Sequence, residues 1–108
     1  MASVRLDARN IPDWAAFHAE CKREFGFPDY YGDNMNAWVD CLSYLRDDEG
    51  MSKFRLQPDE VLKIEILQAD LLKAAAPDIL EELAFCIAAL NERYEDYGEK
   101  PALQLVLV

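Results

Sequence analysis

Val61-Leu62-Lys63-Ile64-Glu65-Ile66 alternates apolar and charged residues over the length of a strand. Leu62, Ile64 and Ile66 fall to one side, Lys63 and Glu65 to the other, as in a strand buried on one face only. Outward from it, two more segments share the pattern. Val4-Arg5-Leu6-Asp7-Ala8 sets Val4, Leu6 and Ala8 against Arg5 and Asp7, and Ala102-Leu103-Gln104-Leu105-Val106-Leu107-Val108 sets Leu103, Leu105 and Leu107 against Gln104.

Helical periodicity fills the spaces between. Asp13 is placed to cap a helix reaching about Phe25, with Trp14, Phe17, Cys21 and Phe25 on one stripe. Gly26-Phe27-Pro28-Asp29 breaks it. Asp33 or Asn34 caps a second helix whose buried stripe is Met35, Trp38, Cys41, Leu42 and Leu45. Residues 46–60 are polar, contain Gly50 and Pro58, and read as a loop. Asp70 to Ala75 is a short helix, and Pro77 suits the first turn of a longer one to about Asp96. Strands joined through helices pair in parallel by right-handed crossovers. The expected fold is a single α/β domain spanning 1–108: two layers, a three-stranded parallel sheet in order 1-2-3, and the helices on one face.

A chain of 108 residues, 52% hydrophobic, can bury one core, so disorder is not expected. Its 21 acidic residues outnumber 11 basic ones, for a net charge of −10. Such a surface repels nucleic acid and anionic lipid and attracts a basic partner. No apolar run approaches the roughly 20 residues of a membrane span. The start, Met1-Ala2-Ser3-Val4-Arg5-Leu6-Asp7, carries neither a basic leader nor an apolar stretch. Cys21, Cys41 and Cys86 are odd in number and widely spaced, so they read as buried thiols in a reducing compartment. The cytoplasm is the expected location.

Catalytic chemistry finds little support. His18, the single histidine, lies beside the Trp14/Phe17/Cys21 stripe, where a packed, hydrogen-bonded imidazole is expected. There is no C-x-x-C or H-E-x-x-H spacing for a metal and no glycine-rich phosphate loop. Cys21 is one turn from His18 but on the apolar side, where a thiol is inert. Glu81/Glu82, Asp47/Asp48/Glu49 and Asp59/Glu60 read as solvated charge. Neither an enzyme, a metal nor a cofactor is expected.

The informative stretch is Pro28-Asp29-Tyr30-Tyr31-Gly32-Asp33-Asn34-Met35-Asn36-Ala37-Trp38-Val39-Asp40-Cys41-Leu42. With Met35, Trp38, Cys41 and Leu42 buried, the other face of the helix presents Asn36, Asp40, Ser43 and Tyr44. Two tyrosines precede it on a turn closed by Gly32. Taken alone, Asn36 and Asp40 read as an ordinary solvated face, and Tyr30 and Tyr31 as aromatics pinning a turn to the core. Trp38 is core on any reading.

The stretch resembles the barstar family of intracellular ribonuclease inhibitors. The likeness runs from Phe17-His18 through Phe25, across Pro28-x-Tyr30-Tyr31-Gly32-x-Asn34, to Ala37 and Asp40-Cys41-Leu42. At motif level it spans roughly a quarter of the chain, and the order of strands and helices extends it. The resemblance implies that the second helix and the loop before it enter a ribonuclease active site, where aspartates stand in for RNA phosphates. Asp40 matches the central inhibitory aspartate; Tyr30, Tyr31, Gly32 and Asn34 match the contact loop. Asn36 stands where the namesake has a second aspartate and Val39 where it has a tryptophan. Glu92, in the last helix, is matched to a further acidic contact. The implied partner is a basic ribonuclease, or another basic toxin if the chain is an immunity protein or antitoxin. A module that kept the fold without inhibiting is a further reading. The free protein is expected to be a monomer.

Overall fold

A computed structural model describes residues 2–47 and 50–108. Asp48 and Glu49 of the acidic run lie outside the described residues. Strand β1 (Ala2–Asp7) leads through a 3-10 turn (Ala8–Asn10) to helices α1 (Trp14–Phe25) and α2 (Met35–Leu42). Strand β2 (Leu62–Leu67), helices α3 (Ala69–Ala75) and α4 (Pro77–Asp96) and strand β3 (Leu103–Leu107) complete the order. The sheet is parallel in order β1-β2-β3, with Val4 opposite Ile64 and Ile64 opposite Leu105.

One-sided alternation is what places the core. Val4, Leu6, Leu62, Ile64, Ile66 and Leu103 are buried beneath the helices. Lys63 and Glu65 stay partly open on the other face, where Glu65 accepts from Arg5 Nε at 2.9 Å across its own register pair. The helix layer does not cover the far end of β3: Leu105 is half-buried and Leu107 exposed. The first strand also stops one residue short of expectation. Asp7 turns its carboxylate back onto Arg9, accepting from the backbone N–H at 3.0 Å and from the guanidinium at 2.7 Å, which starts the 3-10 turn at Ala8.

Caps set the helix ends. Asp13 accepts from Ala16 N at 2.8 Å, and Gly26 ends α1 in the left-handed region at φ 68°. A side chain at Gly26 would also meet Lys53 Cβ at 2.9 Å, so glycine is required there twice over. The 46–60 stretch is irregular but tied down. Lys53 N donates to Phe25 O, Leu56 N donates to Leu45 O, and Leu56 is buried. Arg46 donates to the backbone carbonyls of Gln57, Glu60, Lys100 and Pro101.

All three cysteines are buried and unpaired. Burial pushes the Cys21 thiol up to about 12, so no thiolate exists near neutral pH. An aromatic disulfide reagent is therefore expected to leave Cys21 unmodified in the native protein and to modify it on denaturation. Fast native labelling at Cys21 would show that α1 opens readily.

Candidate protein-docking face

Helix α2 is short, and its rigidity comes from its two ends and one buried face. At the front, Asn34 accepts from Ala37 N at 2.8 Å while its amide donates to Gly32 O at 3.0 Å. Asn34 rather than Asp33 is the cap; Asp33 adopts φ 52° and turns outward, exposed. At the back, the Tyr94 hydroxyl donates to Leu42 O at 2.7 Å and accepts from Leu45 N at 3.2 Å. Trp38, Cys41 and Leu42 hold the helix to the core, with Trp38 edge-on to Phe25.

The opposite face presents Asn36 and Asp40, both exposed, with Val39 and Ser43 half-buried beside them and Tyr44 exposed beyond. Among the described residues no hydrogen bond or ion pair occupies the Asp40 carboxylate; the five ion pairs lie elsewhere. Its charge is felt next door: after burial, it is the second cause that raises the Cys41 thiol.

The two tyrosines part company: one is open to solvent, and the other pins the turn to the core. Tyr30 is 76% exposed, Tyr31 only 6%. Tyr31 turns inward because its ring packs on Phe27, 4.7 Å between centroids, and its hydroxyl shares a 2.7 Å hydrogen bond with His18 Nδ1. Its buried side chain ties the loop to α1. Gly32 keeps the turn tight, since a Cβ there would lie 3.2 Å from the capping Asn34 amide.

Glu92 is exposed and, among the described residues, makes no hydrogen bond or ion pair to α2. It lies about 160° around α4 from Tyr94, the residue that reaches α2, by helical geometry. Its neighbour Arg93 is the one that arrives: Arg93 Nη1 donates to Ser43 Oγ at 3.0 Å, and Ser43 Oγ donates to Val39 O at 2.7 Å. Tyr94 and Arg93 were not singled out from the sequence. A tyrosine in the buried stripe Leu83, Ile87, Leu90, Tyr94 was the available signal, because a buried phenol needs a polar partner.

His18 is the other buried polar group near the site. Desolvation lowers its pKa from 6.5, opposed only in part by the charge of Asp33. The folded state therefore favours the neutral imidazole. Its contribution to stability is expected to be complete above about pH 6.5 and to fall as pH drops through the lowered folded value. Thermal melting from about pH 8 to pH 5 should show this slope in the native sequence and lose it in His18→Gln. An unchanged slope in the variant would assign it to other groups. Tyr31→Phe, which orphans one side of the His18 bond, should cost about 1 kcal/mol of stability by denaturant titration.

Among the described residues, no cluster of His, Cys, Asp or Glu could hold a metal ion. No helix of the described residues is long and apolar enough to cross a membrane. What the arrangement offers is a fixed, unpaired carboxylate flanked by exposed aromatic and amide groups.

Comparison with known proteins adds the family. The family described as barstar (barnase inhibitor) matches residues 1–106. A protein of Bacillus subtilis (strain 168) named "Putative ribonuclease inhibitor YrdF" is 37% identical over 43 residues, 40% of this chain. The match spans 47% of that relative, about half its length.

Proposed function

The chain belongs to the barstar family, and from that premise we propose that it is a stoichiometric protein inhibitor of a basic ribonuclease. One observation carries the reading: the Asp40 carboxylate is exposed and, among the described residues, unpaired, on a helix held at both ends.

A ribonuclease must bind a polyanion, so its site gathers Lys, Arg and His side chains. Asp40 can accept charge-assisted hydrogen bonds from such a cluster and occupy the place of a phosphate. Because α2 is already ordered by its caps and by Trp38, little entropy is lost when it docks. Tyr30 and Tyr44 add aromatic contact area at the two ends of the face. The net charge of −10 draws a cationic partner in before contact. Inhibition then needs no chemistry from the inhibitor, in keeping with a chain whose histidine and thiols are buried.

Asn36 and Val39 favour a partner other than that of the family's namesake. Where the namesake has an aspartate and a tryptophan, this face offers a neutral amide and a half-buried valine. The partner is therefore a basic ribonuclease, or a related basic toxin, with fewer cations opposite Asn36.

Calorimetric titration against a panel of small basic ribonucleases, barnase included, tests the reading. One-to-one binding with loss of RNA hydrolysis is expected from at least one member. Binding without loss of hydrolysis would mark a non-inhibitory module, and no binding to any member would contradict the proposal. Association should also slow steeply between about 0.05 and 0.5 M salt, because exposed charges do the steering. A salt-insensitive on-rate would mean that the acidic surface is not what meets the partner.

A further inference from the structure

Asp40 does not have the docking face to itself. The exposed residues around it, Tyr30, Asn34, Asn36 and Tyr44, include no cation. About one helical turn further on, roughly 5 Å along the axis, a cation reaches the same face from α4. Arg93 is exposed and, among the described residues, is held by a single hydrogen bond, Nη1 to Ser43 Oγ at 3.0 Å, with Ser43 anchored in turn on Val39 O.

Arg93 also forms one wall of a groove of about 490 Å³ shared with Ser43, Tyr44, Tyr94 and Tyr97. The other cation in that groove, Arg46, is spent. Its side chain is 7% exposed, and its nitrogens serve four backbone carbonyls and Glu99. Asp47 and Glu99 line the groove too. Glu99 is taken by Arg46, and among the described residues no bond joins Asp47 to Arg93. Among the described residues, Arg93 Nε and Nη2 are thus the guanidinium donors of the groove left without a hydrogen-bond partner.

We propose that Arg93 is a specificity-determining residue of the docking face and that it receives a carboxylate of the partner ribonuclease. The proposal rests on the docking reading above and narrows it. A partner seated on Asp40 covers Ser43 and Tyr44 as well, so Arg93 loses water there. A guanidinium stripped of water and left unpaired is costly, and its planar fork suits a bidentate carboxylate. A partner with only cations at that place would be repelled. The complementary surface therefore carries a cationic cluster opposite Asp40 and an Asp or Glu side chain one helical turn away. This pattern selects among basic ribonucleases that charge alone would treat alike.

A purely structural role would look different. Helix α2 has no basic residue in its last turn, and Arg93 could serve only to offset the partial negative charge of that end. Such a role would move stability and leave affinity alone. The experiment measures dissociation constants of the native protein, Arg93→Ala, Arg93→Glu and Asp40→Ala against the panel that includes barnase, with melting temperatures alongside. For the tightest-binding ribonuclease, Arg93→Ala is expected to weaken binding at least tenfold and Arg93→Glu at least a hundredfold, at unchanged melting temperature. If Arg93→Ala lowers the melting temperature, Arg93→Gln, which can still reach Ser43, takes its place with the same expectation. Affinity that is unchanged or tighter without the guanidinium, while Asp40→Ala still weakens binding, overturns this inference and leaves the docking reading standing. If Asp40→Ala is also without effect, or no ribonuclease binds, the docking reading falls and takes the inference with it.

Discussion

Replacing Asp40 by alanine is expected to weaken binding to the target ribonuclease by about 2–5 kcal/mol, roughly 30- to 4,000-fold in the dissociation constant. That range is the usual cost of truncating one member of a buried, hydrogen-bonded charge pair, and complexes of this family are among those that define it. Two effects add. The charge-assisted hydrogen bonds are lost, and the partner's cations, still covered by the rest of the interface, are left without water or counter-charge. The folded chain itself has nothing to lose at the same position. Asp40 makes no side-chain bond among the described residues, and its side chain faces solvent. Its stability should stay within about 0.5 kcal/mol of the native protein. Titration calorimetry and a denaturant midpoint measure the two quantities on one sample. Native affinity in Asp40→Ala would remove Asp40 from the interface.

The opposite pattern is expected at Trp38→Ala. Trp38 is fully buried, edge-on to Phe25 at 6.0 Å between ring centroids, and is the largest side chain joining α2 to the rest of the core. Removing it deletes apolar contact and leaves a cavity that neighbouring rings cannot fill, at a cost of about 3–5 kcal/mol. For a domain near 100 residues that lowers the melting temperature by at least about 12 °C. Affinity should fall only insofar as the helix loses its fixed position. A stability loss below about 1 kcal/mol would show that the caps at Asn34 and Tyr94 hold α2 without the indole.

These two predictions also mark what pattern could and could not reveal. The sheet was legible because burial is one-sided: Leu62, Ile64 and Ile66 against Lys63 and Glu65 admits a single reading. The α1 cap at Asp13 and its end at Gly26 were legible because both residues have a backbone reason to be there. Asn34 and Asp33 are equally good caps by type, and only the left-handed backbone at Asp33 decides between them. Tyr30 and Tyr31 are identical neighbours. Which one turns inward depends on where Phe27 and His18 sit, a tertiary fact. The face of α4 that meets α2 is hidden from pattern for the same reason, since it is set by long-range packing around Tyr94. Arg46 sat in a stretch that looked like solvated loop. Its role as a tie between 46–60 and the start of β3 depends on carbonyl positions that no residue pattern encodes.

The most direct measurement is steady-state RNA hydrolysis by the bound ribonuclease, at several substrate concentrations, with the native protein and Asp40→Ala. If the carboxylate takes the place of a phosphate, native protein and RNA exclude one another. Apparent KM then rises with inhibitor, kcat stays constant, and Asp40→Ala needs far higher concentrations for the same effect. Inhibition that lowers kcat at unchanged KM, and is equally strong in Asp40→Ala, would place the inhibitor away from the active site.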